Sequence, residues 1–171
     1  ETKFKSRQTD FLVDISYKIK IDGEEMMSVF IQILSRSILD SVEGKEFGYG
    51  ISLTFDDGYQ DTLDIVAPIL QENNIPFTVF VTPSFVESNN PKYLNKNTLK
   101  QLSQYNNCHI GAHGYSHVRL TECSKKELYN ELTKSKLWLE DLLQKPVETM
   151  SYPHGAVNQY VRDAVEYTGY K

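Results

Sequence analysis

Residues 48–55, Gly-Tyr-Gly-Ile-Ser-Leu-Thr-Phe, form an apolar run that stops at two carboxylates and a glycine, Asp56-Asp57-Gly58. The run reads as a buried strand. A helical pattern follows from Gln60 to Glu72, with Leu63, Val66, Ala67 and Leu70 on one face. Pro68 interrupts that helix and predicts a kink. Strand then helix recurs along the chain. Phe77–Thr82 is a β-branched and aromatic strand. Thr98-Leu99-Lys100-Gln101 has the form of a capping box opening a short helix. His109–Ala112 reads as a third strand. Ser124-Lys125-Lys126-Glu127 is a second capping box, opening a helix to about Leu143 with Leu128, Leu132, Trp138, Leu139 and Leu142 at helical spacing. Val147–Tyr152 reads as a fourth strand closed by Pro153 and Gly155, and Asn158–Thr168 as a last helix stopped by Gly169. Alternating strands and helices imply parallel βα units. The residues of chemical interest fall at the C-terminal ends of strands, where barrels and open α/β sheets build their sites.

The first 47 residues carry a weaker pattern. Phe11–Ile21 reads as a strand or hairpin arm. Asp22 to Asp40 reads as a helix with Met26, Phe30, Ile33, Leu34 and Ile38 on its apolar face. The expected division is a strand-and-helix extension over 1–47 packing on a domain over 48–171.

At 171 residues the chain is long enough for one domain with a substantial core. Its 40% hydrophobic and 24% charged residues are ordinary for a globular protein. A net charge of −5 gives no sign of a nucleic-acid surface, so no nucleic-acid partner is expected. No run approaches the ~20 apolar residues of a membrane span, and no signal peptide is visible. The sequence begins at Glu1, as a trimmed or mature form would, so the missing targeting segment is no argument for the cytoplasm. Cys108 and Cys123 lack a CxxC spacing and decide little. The 11 Tyr and 8 Phe would suit sugar stacking, but core packing is their commoner use.

Asp56 and Asp57 end a strand, and Gly58 permits a tight turn, so both carboxylates can reach one cleft. Two carboxylates that close repel unless one is protonated or a cation lies between them. A helix cap explains one Asp but not two. His113 and His117, in His113-Gly114-Tyr115-Ser116-His117, stand four apart, and a strand-end turn can converge both imidazoles. Neutral imidazole suits zinc, nickel, cobalt or iron better than magnesium or calcium. His109 sits toward the other end of its strand and reads as structural. His154, in Ser151-Tyr152-Pro153-His154-Gly155, lies at a strand end, either as a turn residue or facing the cleft.

Together these motifs resemble the polysaccharide deacetylase family, carbohydrate esterase family four with the NodB-homology domain. Thr54-Phe55-Asp56-Asp57-Gly58 matches its first motif, His113-Gly114-Tyr115-Ser116-His117 its second, and Tyr152-Pro153-His154-Gly155 its third. The resemblance runs from about Gly48 to Lys171. It implies a distorted (β/α) barrel and removal of acetyl groups from sugars. Carried over, Asp57, His113 and His117 bind one divalent metal, zinc foremost, with cobalt, nickel or iron as alternatives. Asp56 is then the catalytic base. A backbone N–H near His154 joins in holding the oxyanion. Tyr152, Pro153 and His154 line the substrate site.

Two departures qualify this reading. Where many members carry an Arg that orients the base, this chain has Ser151, which tilts the resemblance toward the subgroup acting on exopolysaccharides such as poly-N-acetylglucosamine. The family's later motifs, including a histidine general acid, do not follow, so the barrel is expected to be incomplete at the C-terminus. His154 is the one candidate substitute acid. Exposed edges of an unclosed barrel favour association, so a homodimer is expected. The expected function is a metal-dependent hydrolase removing N-acetyl groups from an N-acetylglucosamine polysaccharide of exopolysaccharide, peptidoglycan or chitin type. The family places it outside the cytoplasm or at the cell surface. The alternatives are a degenerate, non-catalytic carbohydrate-binding domain of the same fold, and a magnesium-dependent phosphotransferase with an Asp nucleophile. The last would leave both histidines idle.

Overall fold

A computed structural model describes residues 8–9, 12–21, 24–34 and 50–171, with side chains from 53 onward. Its six strands lie side by side in chain order: β1 (Gln8–Thr9), β2 (Leu12–Ile21), β3 (Glu24–Leu34), β4 (Gly50–Asp57), β5 (Phe77–Val81) and β6 (Cys108–Ala112). The pairings from β1 to β4 are antiparallel, and β4, β5 and β6 run parallel. The parallel half follows from its connections. α1 (Ala67–Glu72) links β4 to β5, while α2 (Pro83–Glu87) and α3 (Lys96–Leu102) link β5 to β6. After β6 come the long α4 (Lys125–Leu143) and finally α5 (Gln159–Tyr167). Among the described residues, no helix is long and apolar enough to cross a membrane.

Four expectations need correction. The first concerns Asp22–Asp40: Glu24–Leu34 form strand β3 rather than a helix, while residues 22–23 and 35–40 lie outside the described residues. β3 pairs with β2 from Ile21↔Glu24 to Leu12↔Leu34 and with β4 on its other edge. Its sequence alternates Met27, Val29, Ile31 and Ile33 against Met26, Ser28, Phe30 and Gln32, a period of two that suits a strand. The two residues between the paired ends are Asp22-Gly23, a strong hairpin signal.

The second concerns Val147–Tyr152, which forms no strand beyond a bridge from Met150 to Ala112. Only Ala112 N–H to Thr149 O and Ser151 N–H to Ala112 O tie it to β6, at 3.0 and 2.9 Å. Helix α4 takes the start of the segment instead. Lys136 Nζ donates to the Val147 carbonyl, and Val147 N–H donates to Glu140 Oε1 at 3.0 Å.

In the third, the short helix α3 is capped three residues earlier than Thr98. Asn95 Oδ1 accepts from the N–H groups of Asn97 and Thr98, and Thr98 Oγ1 accepts from Asn95 N–H at 2.8 Å. Thr98 thus closes the box as its third residue rather than opening it. In the fourth, Pro68 makes a wide turn rather than a plain kink. Thr62–Val66 is π-helical, and Ala67 N–H donates to Thr62 O. The widening moves the preceding turn away from the proline ring, which has no N–H to give.

The remaining elements form as their sequences dictate. On α4, Ser124 and Glu127 make both bonds of the capping box, and Leu128, Leu132, Leu139 and Leu143 are buried at helical spacing. On α5, Asn158 caps through Val161 N–H at 2.9 Å. Val79 and Val81 of β5, Leu99 and Leu102 of α3, Leu128, Leu132 and Leu139 of α4, and Val161 of α5 are among the best-buried residues of the core. Each such leucine contributes about 1.5–3 kcal/mol by leaving water. This core fixes β4, β5 and β6, whose C-terminal ends carry the candidate site.

Candidate metal centre

Asp56 and Asp57 are the last two residues of β4, opposite Phe80 and Val81 of β5. Neighbouring strand residues face opposite sides of a sheet. Asp57 departs from this with φ +72°, a left-handed conformation that Asp tolerates better than most residues. The turn therefore starts one residue before Gly58, and it brings both carboxylates near one point. His113 directly follows β6, and its N–H donates to Val81 O at 2.9 Å, extending the parallel ladder by one residue. Gly114 and His117 both have positive φ, +69° and +61°, so the chain turns back between the two histidines. A Cβ on Gly114 would stand 3.2 Å from the Pro153 ring, closer than side chains normally pack.

One ligand atom from each of Asp57, His113 and His117 lies within 4.8 Å of the other two. Asp57 Oδ1 is 3.1 Å from His117 Nε2 and 3.7 Å from His113 Nε2. It is buried with no hydrogen-bond partner, because the His117 approach is close but poorly aligned. His113 Nδ1–H donates to the Ser151 carbonyl at 3.0 Å, which leaves the lone pair of Nε2 facing the aspartates. Burial pushes the His113 imidazole down to about 4, so it is neutral at pH 7 and its contacts with the aspartates are not ion pairs. An orphaned carboxylate oxygen and an imidazole lone pair repel each other where they stand. A cation between them removes that conflict, so the donor set fits a divalent metal. Burial raises the Asp57 carboxyl, but the contact with His117 and the effects of His113 and Tyr59 outweigh it, holding the group below its usual range.

Asp56 is different. Burial, and then the Asp57 charge, push its carboxyl up to about 7. Its Oδ2 accepts from the Ser151 hydroxyl at 3.4 Å and lies 3.8 Å from His113 Nε2, while Oδ1 is buried without a partner. Ser151 thus touches the Asp56 carboxylate with its side chain and His113 with its backbone. His154 also reaches the site. Its Nε2–H donates to the His117 carbonyl at 3.0 Å, and its ring centre is 4.4 Å from that of His117. Pro153 is buried against Gly114, and Tyr152 is half-buried. His109 is exposed at the opposite end of β6.

Several residues around the centre carry no motif. Tyr59 lies beside Asp57 and helps hold its carboxyl down. Its ring begins a stack through Tyr93 and Phe85, with centroids 5.1 and 4.5 Å apart, that ends 5.4 Å from the His117 ring. Glu131 and Ser135 of α4 bond to the turn between the histidines. Ser135 had one visible signal, a polar residue on the leucine face of a helix.

A family model described as polysaccharide deacetylase matches residues 47–171. The chain belongs to the polysaccharide deacetylase family. Among its relatives in that family, YxkH of Bacillus subtilis is 26% identical over 121 residues, covering 71% of this chain and 42% of its own length. The peptidoglycan-N-acetylglucosamine deacetylase PgdA of Listeria monocytogenes is 29% identical over 178 residues, covering 94% of this chain and 37% of its own length. The chain therefore spans less than half the length of these two curated relatives. The fold is shared with solved structures of the same kind. Streptococcus pyogenes deacetylase PplD in complex with acetate aligns with TM-score 0.65 and 24% identity, over 68% of this chain and 51% of that one. The BpsB deacetylase domain from Bordetella bronchiseptica aligns with TM-score 0.64 and 18% identity, over 77% and 66%. In this deacetylase-family chain the acidic pair and the histidine turn sit at the C-terminal ends of parallel strands.

Proposed function

We propose that this protein is a metal-dependent N-deacetylase acting on an N-acetylglucosamine polysaccharide. The carrying observation is the meeting of Asp57, His113 and His117 ligand atoms within 4.8 Å, beside a second carboxylate, Asp56, that is held by different partners. Asp57, His113 and His117 would hold one divalent ion, zinc by donor type. Such an ion polarises a carbonyl and lowers the pKa of water. The Ser151 carbonyl keeps His113 in the tautomer that ligation needs. Asp56, held in place by the Ser151 hydroxyl, accepts the proton of the attacking water. The reaction consumes one water and one acetamide and yields acetate and a free amine. Tyr152, Pro153 and His154 form the substrate-side wall, with a backbone N–H beside His154 as donor to the oxyanion.

The name of the Listeria relative supports an N-acetylglucosamine polymer as substrate class, and Ser151 in place of an Arg favours an exopolysaccharide. Residues 48–171 act as the catalytic domain, within a distorted barrel to which the parallel strands β4 to β6 belong. The protein works outside the cytoplasm, where such polymers are found.

The test is acetate release from N-acetylglucosamine oligomers by protein stripped with a chelator and by the same protein reloaded with zinc, cobalt or nickel. Release on reloading, and none after stripping, is the expected result. One metal bound per chain without release would favour a sugar-binding role. Failure to bind metal would refute the site.

A further inference from the structure

The sheet does not hold the turn between the two histidines by itself. One carboxylate on α4 takes up its donors. Glu131 Oε2 accepts from the backbone N–H of Tyr115 and of Ser116, both at 2.9 Å, and Oε1 accepts from the Ser116 hydroxyl at 2.5 Å. One helical turn on, the buried Ser135 donates its hydroxyl to the Gly114 carbonyl at 3.0 Å. Trp138, on the same helix face, donates Nε1–H to Glu87 at 2.9 Å, and the Tyr115 hydroxyl donates to the same carboxylate at 2.7 Å. Every residue between the histidines is thus gripped from α4, Gly114 through Ser135 and Tyr115 and Ser116 through Glu131.

The chemistry of this grip is specific. Two successive N–H groups after a left-handed Gly114 converge on one side and form a small anion-binding concavity. A carboxylate fills it. Its removal would orphan both N–H groups and free the turn to relax the positive φ of His117, the residue whose Nε2 stands 3.1 Å from Asp57. None of these α4 side chains is among the three candidate ligands.

We propose that Glu131 is a positioning residue for the metal centre, with Ser135 as its auxiliary. It fixes residues 114–116 so that His113 and His117 present their ligand atoms toward Asp57. This rests on the metal reading of those three residues.

The experiment measures zinc affinity by competition with a chromophoric chelator for the parent, Glu131→Ala, Glu131→Gln and Ser135→Ala. Amide hydrogen exchange is followed on the metal-free forms. Loss of a group that orients a ligand typically weakens metal binding about 10–100-fold, and Glu131→Ala is expected in that range. Ser135→Ala should weaken it less. Glu131→Gln retains an oxygen for both N–H groups and should recover most of the affinity. In metal-free Glu131→Ala the Tyr115 and Ser116 amides should exchange at least about tenfold faster, with β5 and β6 unchanged. Parent-like zinc affinity in Glu131→Ala would overturn the proposal. So would faster exchange spread equally through β5 and β6, which marks a general loss of stability. A parent that binds no zinc overturns the metal reading, and the clamp with it, before any variant is compared.

Discussion

Gly111→Ala is a demanding test of how the sheet is packed beneath the site. Gly111 pairs with Phe80, and Phe80 pairs with Asp56, so the three residues form one row across β6, β5 and β4. A Cβ on Gly111 would stand 2.5 Å from Phe80 Cδ1, 2.6 Å from Cε1 and 2.9 Å from Thr149 Oγ1. Carbon atoms pack at about 3.5–4.0 Å, so the ring edge must retreat by roughly 1 Å. Strand backbone suits alanine, and the lost freedom of the unfolded chain alone would stabilise the variant by about 0.4–1 kcal/mol. Overpacking a filled site costs about 1–3 kcal/mol. The clash therefore wins for most of that range, leaving a net loss of up to about 2.5 kcal/mol. For a chain of this size this corresponds to a Tm lower by up to about 10 °C. Differential scanning calorimetry on parent and variant reads this directly. The cause is checked by adding Phe80→Leu, which removes the ring edge, so the double variant should lose less than the sum of the single losses. An unchanged or higher Tm in Gly111→Ala, or strict additivity with Phe80→Leu, would refute the reasoning.

Two further predictions concern the residues around Asp56. In the metal-free protein the Asp56 carboxyl, raised to about 7 from 3.8, holds a proton that the unfolded chain has already released, so its contribution to stability is lost as pH rises from about 4 to about 7. Asp56→Asn lacks this loss, so its stability relative to the parent should climb across that window and level off above it. Urea unfolding of the metal-free proteins between about pH 4 and about pH 8 checks this, and a constant difference would contradict it. Ser151→Ala removes one hydroxyl from Asp56 but leaves the backbone carbonyl on His113. It should lower kcat about two- to tenfold while bound zinc stays at the parent level, as acetate release and metal analysis would show.

The chain states its site more openly than its fold. Asp56, Asp57 and His113 stand out because each lies where a strand pattern ends, and His117 because it stands four residues from His113; the structure brings Asp57, His113 and His117 within ligand reach of one another. The strands β4 to β6 and the helix α4 were legible for a related reason: local pattern and tertiary burial agree there. Glu24–Leu34 misled because Met26, Phe30, Ile33 and Leu34 also fit helical spacing, while the alternation that prevailed is completed only by partners on both edges. Val147–Tyr152 has strand composition, but its first backbone groups are claimed by Lys136 and Glu140, residues the linear sequence keeps apart from it. The same non-locality hid Glu131 and Tyr59. Each is an ordinary surface-type or aromatic residue until the fold sets it against the histidine turn or Asp57.

Metal content and acetate release should be measured on the same samples of parent and Asp56→Asn, reloaded with zinc and given N-acetylglucosamine oligomers. Asp57, His113 and His117 are intact in the variant, so both proteins should hold one zinc per chain. Loss of a general base costs about 10²–10⁴-fold, so release by the variant should fall by at least about a hundredfold. Zinc bound in both with equal rates of release would contradict the role assigned to Asp56 and, with it, the division of labour between the two aspartates.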